Sequence, residues 1–149
     1  MKVFLWIIIF LGTFSIMEFM AWFTHKYVMH GFLWSLHKDH HRKDHDSWFE
    51  RNDLFFIFYA VVSMSLIMIA GNTNFWYGQP MGFGILAYGI AYFVVHDIFI
   101  HQRFKLLRNA NNWYAKGVRR AHKMHHKHLG KEDGECFGML FVPFKYFKK

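Results

Sequence analysis

Ten of the twelve histidines fall into two spacing patterns, and each pattern occurs twice in the chain. His25 and His30 form H-x4-H, and His96 and His101 repeat it. Each pair is followed by a copy of H-x2-H-H. These copies are His37, His40 and His41 in the first half and His122, His125 and His126 in the second. A doubled pattern in the same order predicts that both halves contribute ligands to one metal centre.

Helix geometry decides what each pattern can do, because each residue of an α-helix advances about 100° and 1.5 Å. The three rings of H-x2-H-H then lie within an arc of about 100° and can converge. The two rings of H-x4-H lie about 140° apart, unless a π-type bulge brings them into line. Neither pattern completes a site alone. Two copies of each could surround two metal ions, with about five imidazoles for each ion.

Neutral imidazole suits zinc, copper, iron and nickel. A structural zinc site needs four ligands and usually includes cysteines, but Cys136 is the only cysteine here. Haem takes one or two axial histidines and would leave most of these rings unused. Ten imidazoles therefore favour a dinuclear redox centre, with iron as the expected metal. His45 and His128 stand outside the repeat and are predicted not to be ligands.

Long apolar runs indicate that the helices carrying these histidines cross a membrane. The chain is 54% hydrophobic, and a bilayer span needs about 20 apolar residues. Three runs approach or reach that length, the third only if its helix continues through residues 98–100; they are 3–23, 54–70 and 81–95. The run at 137–144 is too short and reads as an interfacial or re-entrant piece. The first run precedes His25 directly, so we interpret it as a retained span rather than a signal peptide.

The basic residues predict which side of the membrane holds the histidines. Of the 18 Lys and Arg residues, only Lys2 precedes Lys26, and none lies in the loop 71–80. By the positive-inside rule, the segments 26–51 and 103–149 are cytoplasmic. All four motifs then reach the same membrane face. The sequence thus predicts a single domain, 1–149: an all-α integral membrane protein with about three transmembrane helices, plus cytoplasmic helices carrying a His-rich di-metal site.

Imidazoles bring no negative charge to a metal centre, so we expect carboxylates behind them to accept ring N–H groups. Asp97 adjoins His96, Asp39 adjoins His40, and the pair Asn52–Asp53 opens the second span on the same face. For Asp53, a helix N-cap is an equal alternative. Glu18 lies inside the first span, where a carboxylate is costly and often functional. It could reach a ligand or a basic partner, or be a protonated or snorkelling acid.

Four stretches of this sequence resemble one family, the bacterial β-carotene 3-hydroxylases of the membrane fatty acid hydroxylase and sterol desaturase superfamily. They are MEFMAWFTHKYVMHGFLWSLHKDHH (17–41), NDLF (52–55), AYGIAYFVVHDIFIHQRF (87–104) and AHKMHHKHLGKEDGECFG (121–138). HKYVMHG and VHDIFIHQR are specific to this family, whereas H-x2-H-H alone admits the wider superfamily. The extra histidine at 45 and the short carboxyl tail are departures that remove no ligand.

The resemblance implies a non-haem di-iron monooxygenase of the bacterial inner membrane that uses O2 and electrons from a ferredoxin-type donor. It would hydroxylate C3 of each β-ionone ring of β-carotene, giving cryptoxanthin and then zeaxanthin. The ligands it implies are His25, His30, His37, His40, His41, His96, His101, His122, His125 and His126. The lipid-soluble substrate would enter from the bilayer, where Trp22, Phe23, Tyr88, Tyr92 and Phe93 could line a slot.

The basic face suits an acidic electron donor, although membrane topology explains the same charges. It comprises Arg103, Lys105, Arg108, Lys116, Arg119, Arg120, Lys123, Lys127 and Lys131. No nucleic-acid-binding motif accompanies it. Two other functions stay open. One is a different reaction of the superfamily, such as a fatty-acyl or sterol hydroxylase or desaturase, or a carotenoid ketolase. The other is a non-catalytic membrane protein that binds metal or transfers electrons.

Overall fold

The computed structural model describes residues 1–42 and 46–148, and every regular element in those ranges is a helix. Five α-helices form the frame, and two of them continue directly into π-helices. In chain order the elements are α1 (Lys2–Phe23), a π-helix (Thr24–Phe32), α2 (Trp34–His41), α3 (Asp53–Asn72), α4 (Gly78–Phe93), a π-helix (Val94–Ile100), α5 (Trp113–Lys127) and a 3-10 helix (Phe144–Tyr146).

Three of these helices are long and apolar enough to cross a membrane. They are Lys2–Phe32 with 31 residues, Asp53–Asn72 with 20 and Gly78–Ile100 with 23. The predicted all-α architecture with three spans is therefore confirmed, and the third span does continue through residues 98–100. The run at 137–144 adds no span in the described part of the chain, because it is irregular up to its final residue.

Helix α4 packs between α1 and α3, and two of its glycines make this possible. A Cβ atom at Gly82 would lie 2.8 Å from the Ser63 carbonyl oxygen of α3, and one at Gly84 would lie 2.9 Å from the Phe10 carbonyl oxygen of α1. The Ser63 hydroxyl also donates a 2.7 Å hydrogen bond to the Gly82 carbonyl. Small residues thus bring the three spans into backbone contact, as is common between helices in lipid.

Helix α5 lies outside the spans and is amphipathic. The Asn112 side chain caps its first turn by accepting a 2.8 Å hydrogen bond from the Ala115 N–H. Val118 and Ala121 are fully buried on its inner face, in line with His122 and His125. Its packing therefore directs the second H-x2-H-H motif toward the ends of the three spans. The first H-x2-H-H motif, on α2, lies at the same place.

Candidate metal centre

The first H-x4-H pair lies in the first π-helix, and the second pair spans the second π-helix, with His96 inside it and His101 directly after its last residue. Backbone hydrogen bonds five residues apart mark these helices, from the Leu33 N–H to the Val28 carbonyl and from the His101 N–H to the His96 carbonyl. The π-helical winding brings His25 and His30 to the same side, with ring centroids 5.3 Å apart. His96 and His101 are 4.5 Å apart. Of the two geometries that the spacing left open, the chain adopts the one that aligns the rings.

All ten motif histidines meet in two groups at the common end of the spans. Cluster A consists of His25, His30, His37, His41 and His125, whose ring nitrogens lie within 4.8 Å of one another. Cluster B contains His40, His101, His122 and His126 by the same criterion. His96 joins cluster B, because its Nε2 atom lies 3.1 Å from that of His40.

Each half of the chain gives one histidine to the other half's cluster. On α2, His37 and His41 are four residues apart and share a helix face, so both enter cluster A, whereas His40 enters cluster B. On α5, His125 crosses into cluster A in the same way. The rings of His41 and His126 stack with centroids 4.6 Å apart where the clusters adjoin. The two clusters therefore form a single unit that neither half could build alone.

In cluster A, backbone carbonyls orient four of the five rings. The carbonyls all belong to the irregular segment after α5, which we call the carboxyl-terminal loop (residues 128–143). His25, His30, His41 and His125 donate from Nδ1 to the carbonyls of Phe137, Lys131, His128 and Glu135, at 3.0, 3.1, 3.0 and 2.9 Å. The fifth ring, His37, donates to the Asn52 side-chain oxygen at 2.7 Å.

In cluster B, carboxylates take the corresponding position behind two of the five rings. His40 donates from Nδ1 to Glu50 at 2.8 Å, and His96 lies 3.3 Å from an oxygen of Asp97. The Arg103 guanidinium joins these acids, with nitrogen–oxygen distances of 3.0 Å to Glu50, 3.2 Å to Asp97 and 2.9 Å to Asp53. These side chains are only 10–15% exposed. We call this group the Arg103 network.

The ring tautomers show that the clusters fit metal ions. A neutral ring that donates from Nδ1 carries only a lone pair on Nε2. The Nε2 atoms of four such pairs nevertheless approach within 3.1–3.2 Å, namely His25–His37, His30–His41, His37–His41 and His40–His96. The buried Nε2 atoms of His125 and His126 have no hydrogen-bond partner among the described residues. Lone pairs that face each other at this distance repel unless a cation lies between them.

Burial keeps the motif histidine rings that lie outside the spans neutral. Burial and the neighbouring ring of His30 lower the pKa of His41 to about 4. Burial and His41 lower the pKa of His125 to about 2 and that of His126 to about 3. Burial is also the main cause that lowers the pKa values of His37, His40, His101 and His122. The neutral imidazole is the form that binds a metal.

The same buried surroundings act on the Arg103 network. Burial raises the pKa of the Glu50 carboxyl, and Arg103 opposes that rise. Burial disfavours the Arg103 charge, but the hydrogen bond to Asp53 and the carboxylates around it raise the guanidinium pKa overall. The network therefore holds a permanent positive charge among three acids directly behind two cluster B rings.

Some of the residues predicted to accept from the histidine rings do so, and others do not. Asp97 contacts its neighbour His96, and the Asn52 side chain accepts from His37, as expected. Asp53 has no hydrogen bond to a ring in the described part of the chain; it binds Arg103, and its other oxygen accepts the Glu50 N–H. It is the first residue of α3 rather than the N-cap, which is Asn52.

Two other expectations about acids need correction. The Asp39 carboxylate accepts the Arg51 N–H at 2.7 Å, and the Nδ1 position of His40 is taken by Glu50. The acid next to a motif histidine in the sequence is therefore not always the one that accepts from its ring. Glu18 does not serve a histidine either, since its oxygens accept from the Tyr88 hydroxyl and from backbone N–H groups of the carboxyl-terminal loop.

Sequence reasoning missed Glu50 and the role of Arg103. Arg103 was assigned to the basic face but points into its network and is 13% exposed. Neither residue belongs to a histidine motif, although Arg103 ends the family-specific block VHDIFIHQR two residues after His101. The His128 ring lies outside both clusters, and only its backbone carbonyl takes part. His45 lies outside the described residues.

An apolar cavity of about 300 Å³ lies between the three spans and reaches His25 of cluster A and His96 of cluster B. Tyr88, Tyr92 and Phe93 line it, as predicted. Trp22 and Phe23 instead pack against Tyr27. The cavity also contains a polar pair, the Thr24 and Tyr59 hydroxyls, which are 2.6 Å apart.

The fatty acid hydroxylase family model matches residues 10–147, and the chain belongs to this family. Its similar relatives are named as β-carotene hydroxylases, so the resemblance seen in the motifs is confirmed. The protein so named from Pantoea ananas is 42% identical over 127 residues, which cover 85% of this chain and 71% of that one. That from Paracoccus sp. (strain N81106 / MBIC 01143) is 33% identical, with 91% and 83% covered. No solved structure matches the chain.

Proposed function

We propose that this chain is a β-carotene 3-hydroxylase that inserts one oxygen atom of O2 at C3 of each β-ionone ring. The observation that carries the proposal is the contact between the two imidazole clusters and an apolar cavity within the spans. Bacterial and plant relatives that are named as β-carotene hydroxylases support it. Residues 1–149 would act as one catalytic domain.

The ten clustered histidines are the proposed ligands of two non-haem iron ions, five for each ion. The chemistry that such ions supply when bound is the activation of O2 with two external electrons and two protons, which leaves one oxygen atom in the C–H bond and the other in water. Iron is favoured over zinc because hydroxylation of an unactivated carbon needs a redox-active metal. Within the described residues both clusters consist of imidazoles alone, and iron is among the metals that imidazole ligands suit.

The chain's own residues would bind, orient and protect the reacting groups. The carbonyls, Asn52 and the carboxylates fix the orientations of seven of the ten rings, so the Nε2 lone pairs of those seven point inward. Met17, Phe55 and Ile85 are buried and form apolar walls that keep water from the reacting carbon. The cavity volume suits one end ring of the substrate, while the polyene would lie along the spans in lipid.

The charge distribution supports a cytoplasmic location for the metal centre in a bacterial inner membrane. It also supports an acidic, ferredoxin-like electron donor, which would dock on the lysines and arginines of α5 and the segment before it. Lys116 and Lys123 are exposed on α5 and suit such a contact. The Arg103 guanidinium binds the acids of the Arg103 network, so it does not contribute to this surface.

Pigment analysis tests the proposed function. Expression in a bacterium that accumulates β-carotene should convert this pigment to cryptoxanthin and zeaxanthin, which liquid chromatography separates. Ketolated pigments would indicate oxidation at C4 and overturn the assignment to C3. Unchanged β-carotene, in cells that contain the iron-loaded chain and a competent reductase system, would contradict the hydroxylase assignment.

A further inference from the structure

Glu18 is a carboxylate within the first span, and among the described residues none of its hydrogen bonds is to a cluster ring. It lies on α1, seven residues and about two helical turns before His25. Its side chain accepts a 2.7 Å hydrogen bond from the Tyr88 hydroxyl on α4. It also accepts from three successive backbone N–H groups, those of Met139, Leu140 and Phe141, at 2.9–3.1 Å. Both oxygens of a carboxylate that is costly to place in a membrane thus accept hydrogen bonds from other parts of the chain.

The three N–H groups belong to the carboxyl-terminal loop, which has little structure of its own. Within the described residues, no backbone–backbone hydrogen bond involves residues 129–142. The N–H groups of residues 139–141 converge on the Glu18 carboxylate instead, and successive backbone N–H groups are known to bind anions in this way. Glu18 supplies that anion and fastens the loop to the first span.

This loop also supplies the four carbonyls that orient cluster A. The last of them, on Phe137, is two residues before Met139 and accepts from His25. A loop held at 139–141 keeps the Phe137 and Glu135 carbonyls at their distances from His25 and His125. From this chain of contacts we propose that Glu18 is a positioning residue for cluster A, which acts through the backbone of the carboxyl-terminal loop. The proposal rests on the metal centre proposed above.

Gly138 supports this assignment independently. A Cβ atom there would lie 2.7 Å from the Phe141 carbonyl oxygen and 3.3 Å from the Glu18 carboxylate, so a side chain would push the loop away. A Cβ atom at Gly130, in the same loop, would meet nothing within 4 Å. The chain is therefore intolerant of added bulk where the loop meets Glu18 and tolerant of it eight residues earlier.

Five variants of the purified, detergent-solubilised chain test the proposal through iron content, Mössbauer spectra and hydrogen–deuterium exchange of residues 128–141. Glu18→Leu and Gly138→Ala break the contact from its two sides. Both should bind one iron per chain instead of two, lose the spectral component of cluster A and exchange faster in the loop. Glu18→Gln keeps an oxygen for the N–H groups, Tyr88→Phe keeps the carboxylate, and Gly130→Ala adds harmless bulk. These three should retain both irons.

The outcomes separate the positioning role from other roles. Two irons and wild-type exchange in both Glu18→Leu and Gly138→Ala would overturn the proposal while leaving the metal centre intact. Loss of both irons with faster exchange throughout the chain would show a general structural role and also overturn it. If Glu18→Leu does not accumulate, Gly138→Ala against Gly130→Ala decides the question. A wild-type chain that binds no iron would refute the metal centre itself.

Discussion

Clusters A and B contain the same number of imidazole rings, but the chain orients them by different means. Four rings of cluster A donate to backbone carbonyls of one loop. Two rings of cluster B contact carboxylates, which Arg103 holds together. A carboxylate behind an imidazole makes the ring a more basic ligand. We therefore expect cluster B to stabilise the higher charge on its metal and cluster A to hold the more easily reduced one.

The two clusters should also respond differently to mutation. Cluster A depends on the main chain of a loop, so side-chain substitutions in that loop should matter little unless they move its backbone. Cluster B depends on side chains, so single substitutions at its acids should be costly.

The largest effect is expected for the two histidines that cross between halves. Replacing His40 or His125 with alanine should remove one ligand from the cluster of the opposite half and abolish turnover, with at least the roughly 100-fold loss found when residues behind a metal ligand are changed. Pigment conversion and iron content measure this. His128→Ala is the matched control on α5's carboxyl side and should retain most activity. Equal loss in all three variants would mean that the ligand assignment is wrong.

Arg103→Gln should have the next largest effect, because it leaves three carboxylates that are at most 15% exposed without their cation. Removal of one partner from a buried ionic network costs about 3 kcal/mol of stability. Thermal unfolding in detergent should show the loss, with iron released first from cluster B. Arg103→Lys keeps the positive charge but cannot contact all three carboxylates in the same geometry. Its unfolding temperature should lie between those of the wild type and Arg103→Gln. A wild-type unfolding temperature for Arg103→Gln would contradict the role assigned to this network.

A reciprocal pair of substitutions sharpens the electrostatic difference. Glu50→Gln removes the negative charge behind His40, so it should raise the reduction potential of cluster B. Asn52→Asp places a negative charge behind His37, so it should lower the reduction potential of cluster A. Spectroelectrochemistry with Mössbauer detection follows both sites. Shifts in the same direction for both variants would contradict the assignment of these residues to different clusters.

The smallest effect is expected in the carboxyl-terminal loop, at residues whose carbonyls are used but whose side chains are not. Lys131→Ala and Glu135→Ala leave the backbone oxygens that accept from His30 and His125 in place. Activity should stay within roughly twofold of wild type, as for ordinary surface substitutions. A loss comparable to that of Glu50→Gln would mean that side chains, rather than the main chain, orient cluster A.

Spacing alone predicted much of this architecture. The doubled motif and the apolar runs led to the three spans and to the meeting of all ten histidines, because helix periodicity links sequence distance to direction. The exchange of His40 and His125 between halves was not predictable, since it depends on how α2 and α5 face each other. The carbonyls that orient cluster A could not be predicted either, because every residue has a backbone carbonyl and the sequence does not mark the ones that accept from a ring.

The errors at the acids have a related cause. Asp97 contacts its neighbour His96, but adjacency alone does not decide such a contact, since the Asp39 carboxylate next to His40 accepts the Arg51 N–H and Nδ1 of that ring has another partner. Glu50, ten residues away, reaches the ring instead. Glu18 stood out correctly as an unusual intramembrane acid, yet the irregular loop that it binds carries no periodic signal from which the contact could be predicted.

Iron analysis of the purified chain tests the central claim most directly. Elemental analysis of the protein reconstituted with Fe(II) in detergent, with Mössbauer spectra of the same sample, should give two irons per chain in two distinct environments, both lost when a strong chelator is added. A chain that binds one iron or none, under conditions in which it stays folded, would contradict the account.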